Sequence, residues 1–312
     1  MRRFAYALVA AAIASPAFAQ DVTVATTAIV EHPALDAVRD GVRDALTDAG
    51  IEFEFLYESA GGDPATAAQI ANQFVSDEVS VIVPISTPSA QAVLNATSTI
   101  PIVFAAVTSP TAADLVTDLD GDGNNITGVS DLTPVADHVA LMMEIMPDLS
   151  TIGVLYNAAE ANSSFLVDIL KEVAADNGIT IVEATADNSA NVQSAAASLV
   201  GDVDAIYVPT DNTIVSALDA VIGVGEDAGV PVFAGDTATV ENGAIATIGF
   251  DYYQHGRDAG ALVIRVLNGE DPGTIPVSFA EGGDLAVNPA AAERMGITIP
   301  QAVIDRADIV VE

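Results

Sequence analysis

The chain has 312 residues, 51% of them apolar, with no Cys, no Trp and 9 Lys+Arg against 44 Asp+Glu, a formal charge of −35. It is too aliphatic to be disordered despite that charge, and long enough to bury a core. So acidic a surface repels phosphate and excludes electrostatic binding to nucleic acid or anionic lipid; the missing cysteines exclude disulfides, thiolate metal sites, thiol nucleophiles and a lipidated anchor.

At the amino terminus Met1-Arg2-Arg3 is a short basic start, Phe4 to Ile13 is an apolar run, and Ala17-Phe18-Ala19 sets small residues ahead of a cut at Gln20. This is the pattern of a secretory signal over residues 1–19. The run is too short for a membrane helix, which needs about 20 residues. The paired arginines also belong to ordinary basic starts and are weak support for a twin-arginine signal. Removing Arg2 and Arg3 leaves 7 basic against 44 acidic groups, a charge of −37. No later apolar stretch reaches about 18 residues. The expected product is a soluble monomer outside the cytoplasm, in the periplasm where an outer membrane exists, without membrane insertion. Lys171 is the only lysine. The acid-rich, lysine-poor surface reads as adaptation to saline surroundings, where salt screens self-repulsion over about 8–10 Å, rather than as a docking surface.

After residue 20, short β-rich runs alternate with amphipathic helical runs. Val22–Thr26 is a strand, Pro33–Ala49 a helix, Glu52–Tyr57 a strand, Pro64–Ser76 a helix, Val79–Ile85 a strand, Ser89–Thr97 a helix and Ile102–Ala106 a strand. Such alternation predicts a parallel sheet with helices on both faces. The order then repeats over Thr151–Tyr156, Ser163–Asn177, Ile179–Ala184, Asn191–Val200, Asp204–Pro209, Ile214–Asp227 and Val232–Ala234. Residues repeat too: Asp48-Ala-Gly-Ile51 answers Asp176-Asn-Gly-Ile179, and Pro101-Ile-Val-Phe104 answers Pro231-Val-Phe233.

The expected fold is therefore α/β, with two doubly wound parallel-sheet lobes joined by a three-crossing hinge. Residues 20–128 with 251–276 form the first lobe, and 129–250 with 277–312 the second. Gly128–Pro134, Thr247–Asp251 and Pro276–Ala280 read as the crossings, and the helix Tyr252–Asn268 returns to the first lobe. Ligands of such sheets sit beyond the carboxyl ends of the strands, so two facing sets of loops make a cleft.

In the first lobe Thr87 reads as an N-cap with Pro88 at the first helical position, leaving the N–H groups of Ser89 and Ala90 free. This is either a carboxylate site or simply a capped helix. The second lobe carries acids at the matching places, Asp211 beside Asn212 and Asp236 beside Thr237. They are either caps or partners for a cation, and a carboxylate site facing acids suits an amino-acid zwitterion. Ile29 and Val30, with Tyr156 and Asn157 opposite, offer an apolar wall with polar tips. His32 is either a solvated loop residue or a ring against the ligand. His138 and His255 lie in helical stretches and read as surface residues. Thr108 and Asn162 complete the expected ligand-binding set.

Catalytic sets are missing. Three histidines and no cysteines support neither H-E-x-x-H nor a Cys/His metal site, and no Gly-x-Ser-x-Gly elbow occurs. Gly223-Val-Gly225-Glu-Asp-Ala-Gly229 misses the dinucleotide spacing by one residue, and Lys171 follows Leu170 inside a helix, so no nucleotide site is expected. Asp118, Asp120 and Asp122 with Gly123 resemble the start of a calcium loop, but Val129 replaces the bidentate Glu, and the stretch reads as an acidic turn. No cofactor and no metal are expected.

Six stretches in order along the chain carry a resemblance: Ile29-Val-Glu-His-Pro-Ala-Leu-Asp36, Thr87-Pro-Ser-Ala-Gln91, Gly128-Val-Ser-Asp-Leu132, Gly153-Val-Leu-Tyr-Asn157, Tyr207-Val-Pro-Thr-Asp-Asn212 and Gly249-Phe-Asp-Tyr-Tyr253. With the lobes and signal they resemble type I solute-binding proteins of ABC importers, more closely the subfamily binding tryptophan and other aromatic amino acids. The resemblance implies a non-catalytic periplasmic receptor that closes on a small solute and delivers it to the transmembrane permease subunit. It places Thr87 and Ser89 near the ligand's carboxylate, and Asp211, Asn212 and Asp236 near its polar or cationic end. A sensory module presenting the ligand to a membrane kinase fits the same fold, and an enzyme built on it is the third class. Neighbouring genes for a permease and an ATPase, or for a kinase, discriminate the first two; ligand turnover would mark the third.

Overall fold

The computed structural model describes residues 22–311. The signal segment at 1–19 lies outside the described residues.

The first lobe is built from β1 (Val22–Ala28), α1 (Pro33–Asp48), β2 (Phe53–Ser59), α2 (Pro64–Ser76), β3 (Val81–Ile85), α3 (Thr87–Ala96), β4 (Ile102–Val107) and β5 (Ile126–Ser130). The second follows with α4 (Val135–Ile145), β6 (Thr151–Tyr156), α5 (Ala161–Asp176), β7 (Thr180–Thr185), α6 (Val192–Leu199), β8 (Ala205–Val208), α7 (Asn212–Val215), α8 (Leu218–Ala228), β9 (Val232–Ala234), α9 (Thr237–Glu241) and β10 (Ala246–Gly249). The chain returns through α10 (Tyr252–Leu267) and β11 (Ser278–Phe279). It ends in the second lobe with β12 (Asp284–Val287), α11 (Pro289–Arg294), α12 (Gln301–Ile304) and β13 (Ile309–Val310).

The first sheet runs β11-β5-β4-β3-β1-β2 with every pairing parallel. Its central strands β3 and β4 are buried along their whole length, which is why they read as nearly unbroken apolar runs. The second sheet, β7-β6-β8-β9, is also parallel. The two lobes thus follow one doubly wound α/β plan. The repeated Asp-x-Gly-Ile motif has one physical cause in both. Gly50 (φ 71°) and Gly178 (φ 70°) take the left-handed conformation that ends α1 and α5. The Ile51 and Ile179 N–H groups then close back onto the Leu46 and Ala174 carbonyls.

Three differences from the sequence reading matter. Thr247–Asp251 is not a bare crossing, because β10 is an antiparallel partner of β12, which in turn pairs with β13. The breaks at 128 and 276 fall early: β5 runs whole to Ser130, and β11 pairs with it in the first sheet. The helix expected over Ile214–Asp227 is two helices, with Ala217 between them at φ −124°, ψ 30°. Asp211 caps the first of these, and the Ser216 hydroxyl bonds back to the Thr213 carbonyl, a local bond that competes with helix continuation.

Helix α10 lies along α1 with the backbones in contact, since a Cβ on Gly41 or Gly256 would enter the carbonyl oxygen of Tyr253 or Val38. All seven Lys and Arg residues among the described residues are paired with carboxylates: Arg39, Arg43, Lys171, Arg257, Arg265, Arg294 and Arg306. Exposed pairs of this kind contribute little, about 0–1 kcal/mol each. The unpaired acids dominate the surface, and the melting temperature is expected to rise from dilute buffer to seawater-like salt in scanning calorimetry. A flat or falling trend would count against the saline reading.

Candidate ligand cleft

The loops after the parallel strands of the two lobes face each other. Between them lies an inner chamber of about 20 Å³. His32, Ala34, Leu35, Ala106, Thr108, Asp131 and Tyr252 line it from the first lobe and hinge, and Asn162, Thr210, Asp211, Asn212, Val215 and Asp236 from the second. Six of the expected site residues meet there: His32, Thr108, Asn162, Asp211, Asn212 and Asp236.

On the first-lobe side, α3 begins one residue earlier than expected. Thr87 is its first residue rather than its cap, and Ser86 takes the cap position at φ 91° without a side-chain cap bond. The Ala90 N–H is not free, since it donates to the Ser86 carbonyl at 3.0 Å. Ser89 and Ala90 are fully buried, and the Thr87 hydroxyl is buried with no partner. Ala106, at the end of β4, also has positive φ (52°). Non-glycine residues in that region cost about 1–3 kcal/mol each and persist only where their surroundings hold them.

His255 supplies that hold. It is buried, not at the surface, and its Nε2 accepts the Ala106 N–H at 2.9 Å. Burial lowers its pKa to about 3, so the ring is neutral. His138 is likewise buried, with Nδ1 2.8 Å from the Tyr207 hydroxyl and Nε2 2.7 Å from the Ile248 carbonyl. The carbonyl only accepts, so Nε2 carries the proton and Nδ1 receives the phenol. Burial lowers this ring to about 4. The surface reading failed because each ring is claimed by partners far away in sequence.

Asp131 stands at the first hinge crossing, 4% exposed. It accepts the Thr108 hydroxyl from just after β4 and the Tyr252 hydroxyl from the start of α10, both at 3.0 Å. Burial, with a small addition from Asp236 across the chamber, raises its pKa to about 6. An unfolded Asp titrates near about 3.9. Between those values the folded state keeps a proton that the unfolded chain has lost. The contribution to stability is therefore complete below about pH 4 and is withdrawn as pH rises through about 6, at most about 3 kcal/mol in all. The ligand-free melting temperature is expected to fall more steeply from pH 4 to 6 in the wild type than in Asp131→Asn. Parallel profiles would contradict this.

On the second-lobe side the acids are more committed than expected. Asp211 caps α7 through the Ile214 N–H (2.8 Å) and also accepts the Asn157 N–H and the Ser163 hydroxyl, each at 2.6 Å. Burial and the nearby Glu160 raise its pKa. Glu160 receives the backbone and side-chain donors of Asn212 and Thr213, together with the Asn162 amide. Asp236 caps α9 through the N–H and hydroxyl of Thr239, and burial raises its pKa.

Other expected residues stand apart from the chamber. The Tyr156 phenol donates to Glu183 at 2.6 Å on the outer strand β7, which pushes its pKa to about 12. Ile29 and Val30 pack with Ala60 and Ala67 inside the first lobe. Ala90 lies in the core. Thr237 donates to the Phe250 carbonyl, and the Asn157 side chain to Thr213. His32 sits at the mouth with part of its surface exposed but Nδ1 buried, and the surrounding protein lowers its pKa to about 4. Asp131 and Tyr252, absent from the expected set, were signalled by their place in Gly128–Leu132 and Gly249–Tyr253 at the hinge. Thr210 was signalled in the same way by Tyr207–Asn212, whereas Glu160 and Val215 carried no such signal.

Buried polar atoms are ordinarily paired. The unpaired ones here include Thr27 Oγ1 near the end of β1, His32 Nδ1 in the loop that follows and Thr87 Oγ1 at the start of α3 in the first lobe, and Asn162 Oδ1 in the first turn of α5 and Thr210 Oγ1 in the loop after β8 in the second. No Lys or Arg lines the chamber, although Asp131, Asp211 and Asp236 all do. Among the described residues no group of three His, Asp or Glu is placed to hold a metal ion, and no helix is long and apolar enough to cross a membrane. In the Asp118–Asp122 turn the carboxylates accept backbone N–H groups of Asp120, Thr117 and Asn124.

The profile of the family described as ABC transporter substrate binding protein matches residues 23–311. The chain is 40% identical over 264 residues to the "Tyrosine-binding protein" of Clostridioides difficile (strain R20291), covering 83% of this chain and 76% of that protein. It superposes with a TM-score of 0.90, at 32% identity, on a crystal structure of an ABC domain in complex with L-Trp from Streptococcus pneumonia, covering 94% of this chain and 100% of that one. On the ligand-free, open structure of a substrate-binding protein with adhesive properties from Clostridium difficile the TM-score is 0.69 at 38% identity, covering 93% of this chain and 99% of that one.

Proposed function

This chain belongs to the family of ABC transporter substrate-binding proteins, and from that premise we propose that it is a periplasmic receptor that closes on an α-amino acid and delivers it to a membrane permease. The reading is carried by one observation: His32 of the first lobe and Asn162 and Thr210 of the second, each with an unpaired buried polar atom, line a chamber that also holds three buried Asp side chains and no Lys or Arg. A buried charge without a partner is costly, and an ammonium group supplies that partner. The ligand's ammonium is assigned to Asp131 and the Asn162 side-chain oxygen, and its carboxylate to the Thr210 hydroxyl. The names of the relatives that bind Tyr and L-Trp support an aromatic amino acid.

Closure follows from contacts made only when the lobes meet. Shifting a receptor from 1:99 to 99:1 closed takes about 5.5 kcal/mol of differential affinity, and groups from both lobes share that task. Calorimetry against the common amino acids, with analogues lacking the ammonium or the carboxylate, is the test. Binding of one or a few intact amino acids, with contraction in small-angle scattering, is the expected result. A folded protein that binds none would overturn the reading. Loss of uptake of the bound amino acid on gene deletion tests delivery; intact uptake with a lost transcriptional response would favour the sensory role.

A further inference from the structure

A second compartment of about 420 Å³ lies at the mouth of the cleft, between the start of α1 and helices α8 and α9. His32, Ala34 and Val215 line both it and the inner chamber, so the two adjoin. Its wall is mostly apolar, with Pro33 and Ala34 on one lobe and Val215, Ala217, Leu218 and Ala238 on the other. Residues 215–220 all line it. An intact helix would present only every third or fourth residue, so the break between α7 and α8 is what makes this wall. Glu31 and Asp219 stand at the groove without a Lys or Arg.

We propose that this groove receives the side chain of the amino acid whose ammonium group reaches the inner chamber, and that Ala238 and Leu218 set the size it admits. The proposal rests on the amino-acid reading above. The inner chamber has room for about one water, hence for no more than the ligand's ammonium group, whereas the adjoining groove has room for a large apolar side chain. The two acids disfavour ligands with acidic side chains.

The test is calorimetry on the full-length secreted protein with L-alanine, L-leucine, L-phenylalanine, L-tryptophan and L-glutamate. In the wild type, affinity is expected to increase with apolar side-chain size, with L-glutamate among the weakest. Ala238→Phe, which fills the groove, is expected to cost L-tryptophan at least about tenfold relative to L-alanine, reversing or flattening that order. Leu218→Ala, which widens it, is expected to leave the rising order in place. If Ala238→Phe weakens every ligand by the same factor, or none, the groove does not read the side chain. If no amino acid binds the folded wild type, the amino-acid reading itself fails, a result distinct from the loss of size dependence alone.

Discussion

Asp131→Asn is expected to weaken the bound amino acid by about 1.5–3 kcal/mol, the range for a hydrogen bond to a charged group. The side chain keeps its shape, and an amide oxygen still accepts from Thr108 or Tyr252, so the hinge contacts survive in part. What disappears is the negative charge that faces the ammonium. Asp211 offers the contrast. Its two oxygens are already taken by three donors of its own lobe, and in Asp211→Asn an amide NH₂ would face either the Asn157 N–H and the Ser163 hydroxyl together or the Ile214 N–H. That variant is expected to lose melting temperature more than affinity. Calorimetry at pH 7 beside thermal unfolding separates the two. Equal affinity in Asp131→Asn and wild type would remove the ammonium from this residue.

Gly256→Ala is expected to destabilise the protein by about 1–3 kcal/mol, the usual cost of forcing extra volume into a packed contact. The new methyl would meet the Val38 carbonyl oxygen, a backbone atom that no rotamer change moves aside. Helix α10 must then shift away from α1. It carries Tyr252 and His255, so the strained Ala106 turn and the hydrogen bond on Asp131 shift with it. A lower melting temperature together with weaker ligand binding is the expected pair of results. An unchanged melting temperature would show that the helices can separate freely.

Local signals in the chain were sufficient where the determinants are local. The helix Pro64–Ser76 and the strand Thr151–Tyr156 are found where periodicity places them, because Asp63 caps the first and the second is a short apolar run ended by a polar loop. The Asp-x-Gly-Ile repeat located two helix ends through a conformation only glycine enters without strain. Periodicity could not show the break after Val215, where a serine hydroxyl and a cap act against an otherwise good helix pattern. Nor could it bury His138 or His255, whose partners Tyr207, Ile248 and Ala106 become neighbours only in the folded lobes. Half of the cleft was legible for a related reason. Loops after strands announce themselves, but Asp131 and Tyr252 become cleft residues only because two hinge passes run side by side.

The complete pairing of the described cations has an implication for life at varying salinity. A partner recognising this shell finds no unneutralised lysine or arginine on it and must bring its own, so encounter should slow as ions accumulate. The fold responds in the opposite sense, since the same ions relieve its internal repulsion. Brackish water would thus favour capture by the partner while weakening the receptor, and brine the reverse. The useful range lies where neither demand is starved.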